Sequence, residues 1–271
     1  MLLVQLSDLH VKSGRAFAFN AADSSTILEK TVAHIADMHP APDCVVISGD
    51  LAEHGEQNAY DFVRAALEKL RVPIYAIPGN HDNRERLRDT LRAHCPAAPE
   101  IAPYVCYAVE DHPLRLVMLD SSEPGAHSGF LHAPVARWLE KTLAEKPDAP
   151  TLVFIHHPPF LSAMGVMDEP FKGADELAAI LRANPGARLC CGHLHRGMTS
   201  LWQNVQSIVC PPLVLPIELD LSPKGGDLFT LGAPSYLLHH YFDGQLNSHT
   251  CQLPGTWEYS GPYSFSSPPA L

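Results

Sequence analysis

Short apolar runs alternate with amphipathic segments through about the first 195 residues. The runs Leu2 to Leu6, Cys44 to Ser48, Ile74 to Ile77, Leu114 to Leu119, Leu152 to Ile155 and Arg188 to Cys191 are near-continuously hydrophobic. That pattern predicts strands covered on both faces, as in parallel sheets. Between them, helical periodicity predicts helices at about Ser25 to Met38, Glu56 to Leu70, Arg84 to His94, Val135 to Glu145 and Ala174 to Arg182. Strand and helix in alternation imply βαβ units. From Thr199 on, β-branched and aromatic runs at Ser207 to Cys210 and Tyr236 to Phe242 predict a second, antiparallel sheet, with a hairpin turn at Asp243-Gly244. Pro254 to Leu271, rich in Pro, Ser, Gly and aromatics without a period, reads as an extended tail.

A chain of 271 residues accommodates one large domain with a small appendage. The expected division is a core over residues 1–210 and a C-terminal segment over residues 211–271, carrying sheet strands, a loop and the tail. With 46% hydrophobic and 18% charged residues, the composition is that of a folded globular protein. No apolar stretch is long enough for a bilayer span, and the opening Met1-Leu2-Leu3-Val4-Gln5 lacks a signal peptide's basic region, so a cytoplasmic protein with no membrane partner is expected. The formal net charge of -11 and the absence of a Lys/Arg cluster argue against a nucleic-acid polymer as partner. Seven cysteines without CxxC spacing read as reduced core residues. The unusual feature is 16 histidines, nearly as many as the 19 Lys and Arg together.

Several of those histidines fall where predicted strands end. The first strand runs into Asp8-Leu9-His10, the second into Gly49-Asp50, and the third into Gly79-Asn80-His81-Asp82. The Leu152 strand runs into His156-His157, and the Arg188 strand into Gly192-His193-Leu194-His195. In open α/β sheets ligands bind beyond the carboxyl ends of strands, so these segments are expected to converge on one crevice. Carboxylate, amide oxygen and imidazole without thiolate suit Mn, Fe, Co or Zn. Singly, Asp-x-His or Gly-Asp is more often a turn and a cap than a metal site. Five such segments in order are not explained that way.

The ordered set D-x-H, GD, GNH[DE], H and GHxH resembles the signature of the calcineurin-like metallophosphoesterases, and is similar to their bacterial cyclic-nucleotide phosphodiesterase and glycerophosphodiesterase branch. The resemblance covers about the first 200 residues; Asp120-Ser121-Ser122, His156-His157-Pro158-Pro159 and, weakly, the closing Tyr259-Ser260-Gly261-Pro262 also match that branch. It implies an α/β fold: a four-layer α-β-β-α sandwich of two mixed sheets flanked by helices. It implies two metal ions, one held by Asp8, His10, Asp50 and His195, the other by Asp50, Asn80, His156 and His193. Asp50 would bridge them. A shared hydroxide would attack the phosphate, and His81 would lie beside it as proton donor or electrostatic stabiliser. The implied substrates are small phosphodiesters, 3',5'-cyclic nucleotides or glycerophosphodiesters, and the implied assembly is a homo-oligomer, dimer or higher. A phosphomonoesterase or nucleotide pyrophosphatase on the same centre, or a metal-bearing scaffold without turnover, are the alternatives.

His157 is expected to face away from its neighbour or to buttress it, since consecutive strand residues point to opposite sides. Asp82 is read as a helix cap or as a partner of His81. The remaining histidines, His127 and His239 among them, lie outside any motif and read as surface or packing residues. Specificity is expected from three loops: Val11 to Asn20 with Arg15, Phe17 and Phe19; Phe160 to Phe171 with Met164 and Met167; and Pro211 to Leu231.

Overall fold

The computed structural model describes residues 1–223 and 225–270. Strand β1 (Leu2–Leu6) leads through helix α1 (Ser24–Ala36) to β2 (Cys44–Ile47), α2 (Gln57–Leu67), β3 (Ile74–Ala76) and α3 (Arg84–Thr90). A second series runs β4 (Tyr107–Val109), β5 (Arg115–Leu119), α4 (Ala133–Ala144), β6 (Thr151–Ile155), α5 (Ala174–Arg182) and β7 (Ala187–Cys191). The chain closes with β8 (Met198–Trp202), β9 (Val205–Val209), β10 (Leu228–Leu231), β11 (Ser235–Phe242), β12 (Gln245–Gln252) and β13 (Ser260–Ser264). The expected strands and helices of the first 195 residues are in place. Helix α3 stops at Thr90, short of the expected His94, whose carbonyl instead accepts from Ala76 N at 2.8 Å.

Two mixed sheets carry the fold, ordered β12-β11-β1-β2-β3 and β4-β5-β6-β7-β9-β8. Within them β1, β2 and β3 run parallel, as do β5, β6, β7 and β9. Side-chain alternation shows how the sheets stack. Leu116, Met118, Leu152 and Phe154 join the core formed with the first sheet and helices α1 and α2. Their neighbours Val117, Leu119, Val153 and Ile155 pack instead with Val135, Leu139, Leu177 and Leu181 of α4 and α5. A strand's period of two thus sends alternate residues to the partner sheet and to the outer helices, giving the layers helix, sheet, sheet, helix. Both faces are covered, which is why these strands read as unbroken apolar runs.

The strands after Thr199 correct the expectation of a separate antiparallel sheet. β9 joins β7 in parallel and β8 folds back on it, while β11 pairs antiparallel with β1 and β12 with β11. The first sheet leaves the β1 edge open, and the buried Tyr236 and Leu237 of β11 close it. Asp243-Gly244 does form the β11–β12 hairpin, both residues lying at positive φ of 48° and 73° as a primed turn requires. The tail pairs back through β13 onto β10.

One buried polar chain ties the two sheets together. Gln5 on β1 donates from Nε2 to Ser48 Oγ at 2.9 Å and to the Cys191 carbonyl of β7 at 3.1 Å, while its Oε1 accepts from His239 Nε2 at 3.0 Å. His239 is a satisfied packing histidine, its other nitrogen bonded to Ser248 at 2.7 Å, and burial pushes it down to about 4, so it stays neutral. A group orphaned inside a core costs its full desolvation. Gln5→Leu therefore lowers stability by about 1–3 kcal/mol in urea unfolding with little change in m-value, because His239 Nε2 loses its acceptor.

Candidate metal centre

All seven expected ligands sit in the turns that leave β1, β2, β3, β6 and β7 at their carboxyl ends. The turns are bonded to each other before any ligand is considered. Leu9 N and His10 N both donate to the Asp50 carbonyl, His81 N donates to Asp50 Oδ1 at 2.9 Å, and His193 N donates to Asp8 Oδ1 at 3.1 Å. Asp8, His10, Asp50, His193 and His195 adopt left-handed backbone conformations, with φ between 45° and 70°. Such conformations are costly for non-glycine residues and persist where surroundings over-determine them. Gly79 and Gly192 let the turns approach: a Cβ on the first would run into the Asp50 carboxylate, and one on the second into Ser7 Oγ.

The side chains converge in four overlapping groups, two of which are His156 with His157 and His193, and His10 with Glu53 and His81. Asp8, His10 and His195 bring one donor atom each within 4.8 Å of one another, and Asp8, Asp50 and His156 do the same. Asp50 Oδ2 lies 3.8 Å from His10 Nε2 and 3.2 Å from His156 Nε2, so its carboxylate stands between them. His193 Nδ1 lies 3.0 Å from Asn80 Oδ1. All but Asn80 are buried.

Protonation logic tests whether this set fits metal ions. His10 Nδ1 donates to Glu53 at 2.8 Å, His195 Nδ1 to the Leu215 carbonyl at 2.8 Å, and His156 Nδ1 to the Ser48 carbonyl at 2.7 Å. Each ring is thereby fixed with its Nε2 lone pair turned inward. His10 Nε2 and His195 Nε2 face each other at 3.0 Å, and the buried His156 Nε2 meets Asp50 Oδ2 at 3.2 Å. Lone pairs opposed in this way call for a cation between them. Without metal, protons are that cation: burial would lower His10 and His156, but Glu53 and Asp50 respectively overcome it and raise each to about 9. Burial alone would raise the Asp50 carboxyl, yet His156, His81 and His10 hold it well below the usual carboxylate range. His195, by contrast, is pushed down to about 4 by burial, and burial with neighbouring imidazoles pushes His193 well down, leaving both as neutral donors. The residues fit divalent ions.

The family model for calcineurin-like phosphoesterases matches residues 1–197. The chain belongs to this family. A probable glycerophosphodiester phosphodiesterase of Arcobacter nitrofigilis is 34% identical over 269 residues, covering 98% of this chain and 97% of its own. A probable cyclic nucleotide phosphodiesterase of Rhodopseudomonas palustris is 32% identical over 269 residues, covering 97% and 94%. Among solved structures, a purple acid phosphatase from yellow lupin (Lupinus luteus) seeds shares the fold at a TM-score of 0.61 and 16% identity, over 93% of this chain and 51% of that one.

The structure also recruits residues that the motifs do not name. Glu53, three positions after Asp50, holds His10; a carboxylate behind a metal-binding imidazole is the signal that would have found it. Asp82 neither caps α3, which Asn83 does, nor touches the His81 ring. It accepts from Gly79 N, Leu51 N, Ala52 N and the Tyr60 hydroxyl, bracing the second and third turns together. His157 does not face away. Its ring lies 4.8 Å from His193, with Nδ1 bonded to Ser121 Oγ at 2.7 Å, so it buttresses that ligand candidate. His127, read as a surface or packing residue, packs 4.7 Å from His193 and lines the cavity above the centre.

That cavity, about 410 Å³, opens over His10, Asp50, Asn80, His81, His193 and His195. Its far wall takes Phe19 from the first expected loop, Val166, Met167 and Glu169 from the second, and Gly226 and Asp227 from the third. Arg15 and Phe17 are not part of it; Arg15 pairs with Glu29 at 2.8 Å. Phe265 and Ser266 from the tail complete the wall. Glu53→Gln weakens metal retention about 10–100-fold, read as metal per chain after dialysis against graded chelator, with the circular-dichroism spectrum unchanged.

Proposed function

We propose that this protein hydrolyses small phosphodiesters at a two-metal centre in which Asp50 is shared. The observation that supports it best is the Asp50 carboxylate standing between His10 Nε2 and His156 Nε2 at the floor of a cavity about 410 Å³ in volume. Asp8, His10, Asp50 and His195 would hold one ion, and Asp50, Asn80, His156 and His193 the other; Fe, Mn, Zn or Co suit these donors. When bound, such ions supply positive charge for the phosphate oxygens and the acidity that makes a water nucleophilic near neutral pH.

The chain's own residues do the rest. Glu53, Leu215 and Ser48 lock three imidazoles in one tautomer, so no reorganisation is needed as charge develops. His81 donates from Nδ1 to the Glu53 carbonyl at 2.8 Å, which leaves Nε2 as its working nitrogen. It borders the cavity without joining either proposed ligand set; as the imidazolium, with Nε2 protonated as well, it would hand that proton to the departing ester oxygen and be left neutral. A cavity of this size suits a small molecule. Relatives named for glycerophosphodiesters and for cyclic nucleotides point to those two substrate classes.

The deciding experiment compares kcat/KM for 3',5'-cyclic AMP and for glycerophosphoethanolamine on protein stripped of metal and reconstituted with Mn. Turnover of at least one diester, absent from the stripped protein, is the expected result. No turnover of either on fully reconstituted protein would sink the reading. Asn80→Ala or His156→Ala lowers both turnover and the second metal equivalent. His81→Ala lowers kcat by about 10²–10⁴-fold while retaining both equivalents; loss of metal there would make His81 structural instead.

A further inference from the structure

The phosphate end of a substrate is accounted for by the centre described above, but the far wall of the cavity is chemically lopsided. Phe19 and Phe265 pack on one another at 5.0 Å and present apolar surface. Asp227, His127 and Glu169 line the same cavity. Asp227 is spoken for, since Ser264 and Ser266 donate to its carboxylate. His127 and Glu169 are not. His127 Nδ1 is fully buried, without a hydrogen-bond partner, and 3.6 Å from Glu169 Oε1, while 39% of the side chain remains exposed. Since Nδ1 is covered, that exposure belongs to other atoms of the side chain. Glu169 is half exposed, so its carboxylate also reaches the solvent side.

We propose that His127 and Glu169 form a specificity pair that accepts hydrogen bonds from a hydroxyl or ammonium group on the alcohol arm of the substrate. In the tautomer that carries its hydrogen on Nδ1, facing the Glu169 carboxylate, Nε2 holds the ring's lone pair and accepts. The carboxylate accepts from a second donor and repels a second anion. The pair thus selects a diester whose arm bears donors, and rejects an arm that is wholly apolar or ends in another phosphate. Neither residue belongs to a metal-binding motif, so the chemistry and the choice of alcohol are carried by different parts of the chain. The assignment rests on the phosphodiester reading above for the orientation of the phosphate.

Binding rather than turnover tests it, by calorimetry on Mn-loaded protein with two phosphate monoesters: sn-glycerol 3-phosphate, which carries hydroxyl donors, and methyl phosphate, which carries none. The wild type binds the glycerol ester more tightly. Glu169→Gln, a change at a half-exposed site that keeps its volume, and His127→Ala each weaken the glycerol ester about tenfold and leave methyl phosphate within about twofold. His127→Gln, which restores an acceptor, recovers part of the loss. Equal weakening of both ligands would show that the pair only supports His193, and no change in either would show that it does not touch the substrate. Wild-type protein that binds both equally well overturns this inference alone; wild-type protein that binds neither overturns the phosphoester reading with it.

Discussion

Compensation of buried negative charge governs this molecule. Asp8, Asp50 and Glu53 lie within one small volume at the ends of the strands, at most 4% exposed. Isolated carboxylates there would be strongly disfavoured. Imidazoles surround them, with His10 and His156 raised to about 9 by Glu53 and Asp50 respectively against the effect of burial. A metal ion at these nitrogens would compete with protons for the same inward lone pairs, so its binding would displace protons. The carbonyls of Ser48 and Leu215 decide which nitrogen is free for that exchange.

Such a centre is strained, and the fold carries the strain. Five of its residues hold left-handed backbone, at a typical cost of about 1–3 kcal/mol each. They stay because the turns are cross-bonded. Asp82 ties the second turn to the third, and the Asp50 carbonyl and carboxylate tie the first and third to the second. Burial and the Asp50 charge push Asp82 up to about 6. Behind the turns, two layers of apolar packing on either side of the second sheet supply the stabilisation that the turns consume.

The first 195 residues were legible because their information is local. A strand buried on both faces writes itself as a run of Val, Ile and Leu, and the polar residue that ends it is conspicuous. Seven ligand candidates follow from that punctuation and the family resemblance, and the structure brings them together. The C-terminal strands were not legible in the same way. β11 reads as a strand, but its partner is β1, with Leu2 opposite His240, and no local pattern announces a pairing across nearly the whole chain. Asp82 reads as a cap or a partner of His81, and its actual partners, Tyr60 and the turn amides, are set by tertiary packing; for His157 the buttressing alternative holds, through a bond to Ser121 that the sequence does not announce. His127 carries no motif at all, and becomes visible only when His193 lies beneath it.

The tail shows where that non-local information acts. Phe265 reaches the cavity because β13 pairs with β10, and its ring lies 4.7 Å from Phe229 and 5.8 Å from His195. A segment that reads as featureless from composition thus becomes a wall of the site, close to a metal-ligand candidate. The ligand turns are bound by geometry and by one another, so substitutions there disturb several contacts at once. The wall is assembled from Phe19, the loop around Met167, and the tail, whereas the hydrogen bonds of His10 and Asp50 run to Glu53, His81 and the ligand turns. On the proposed reading, variation in those segments would change which alcohol is accepted while the buried charges stay compensated. That separation is the physical reason one metal-binding frame can serve different esters.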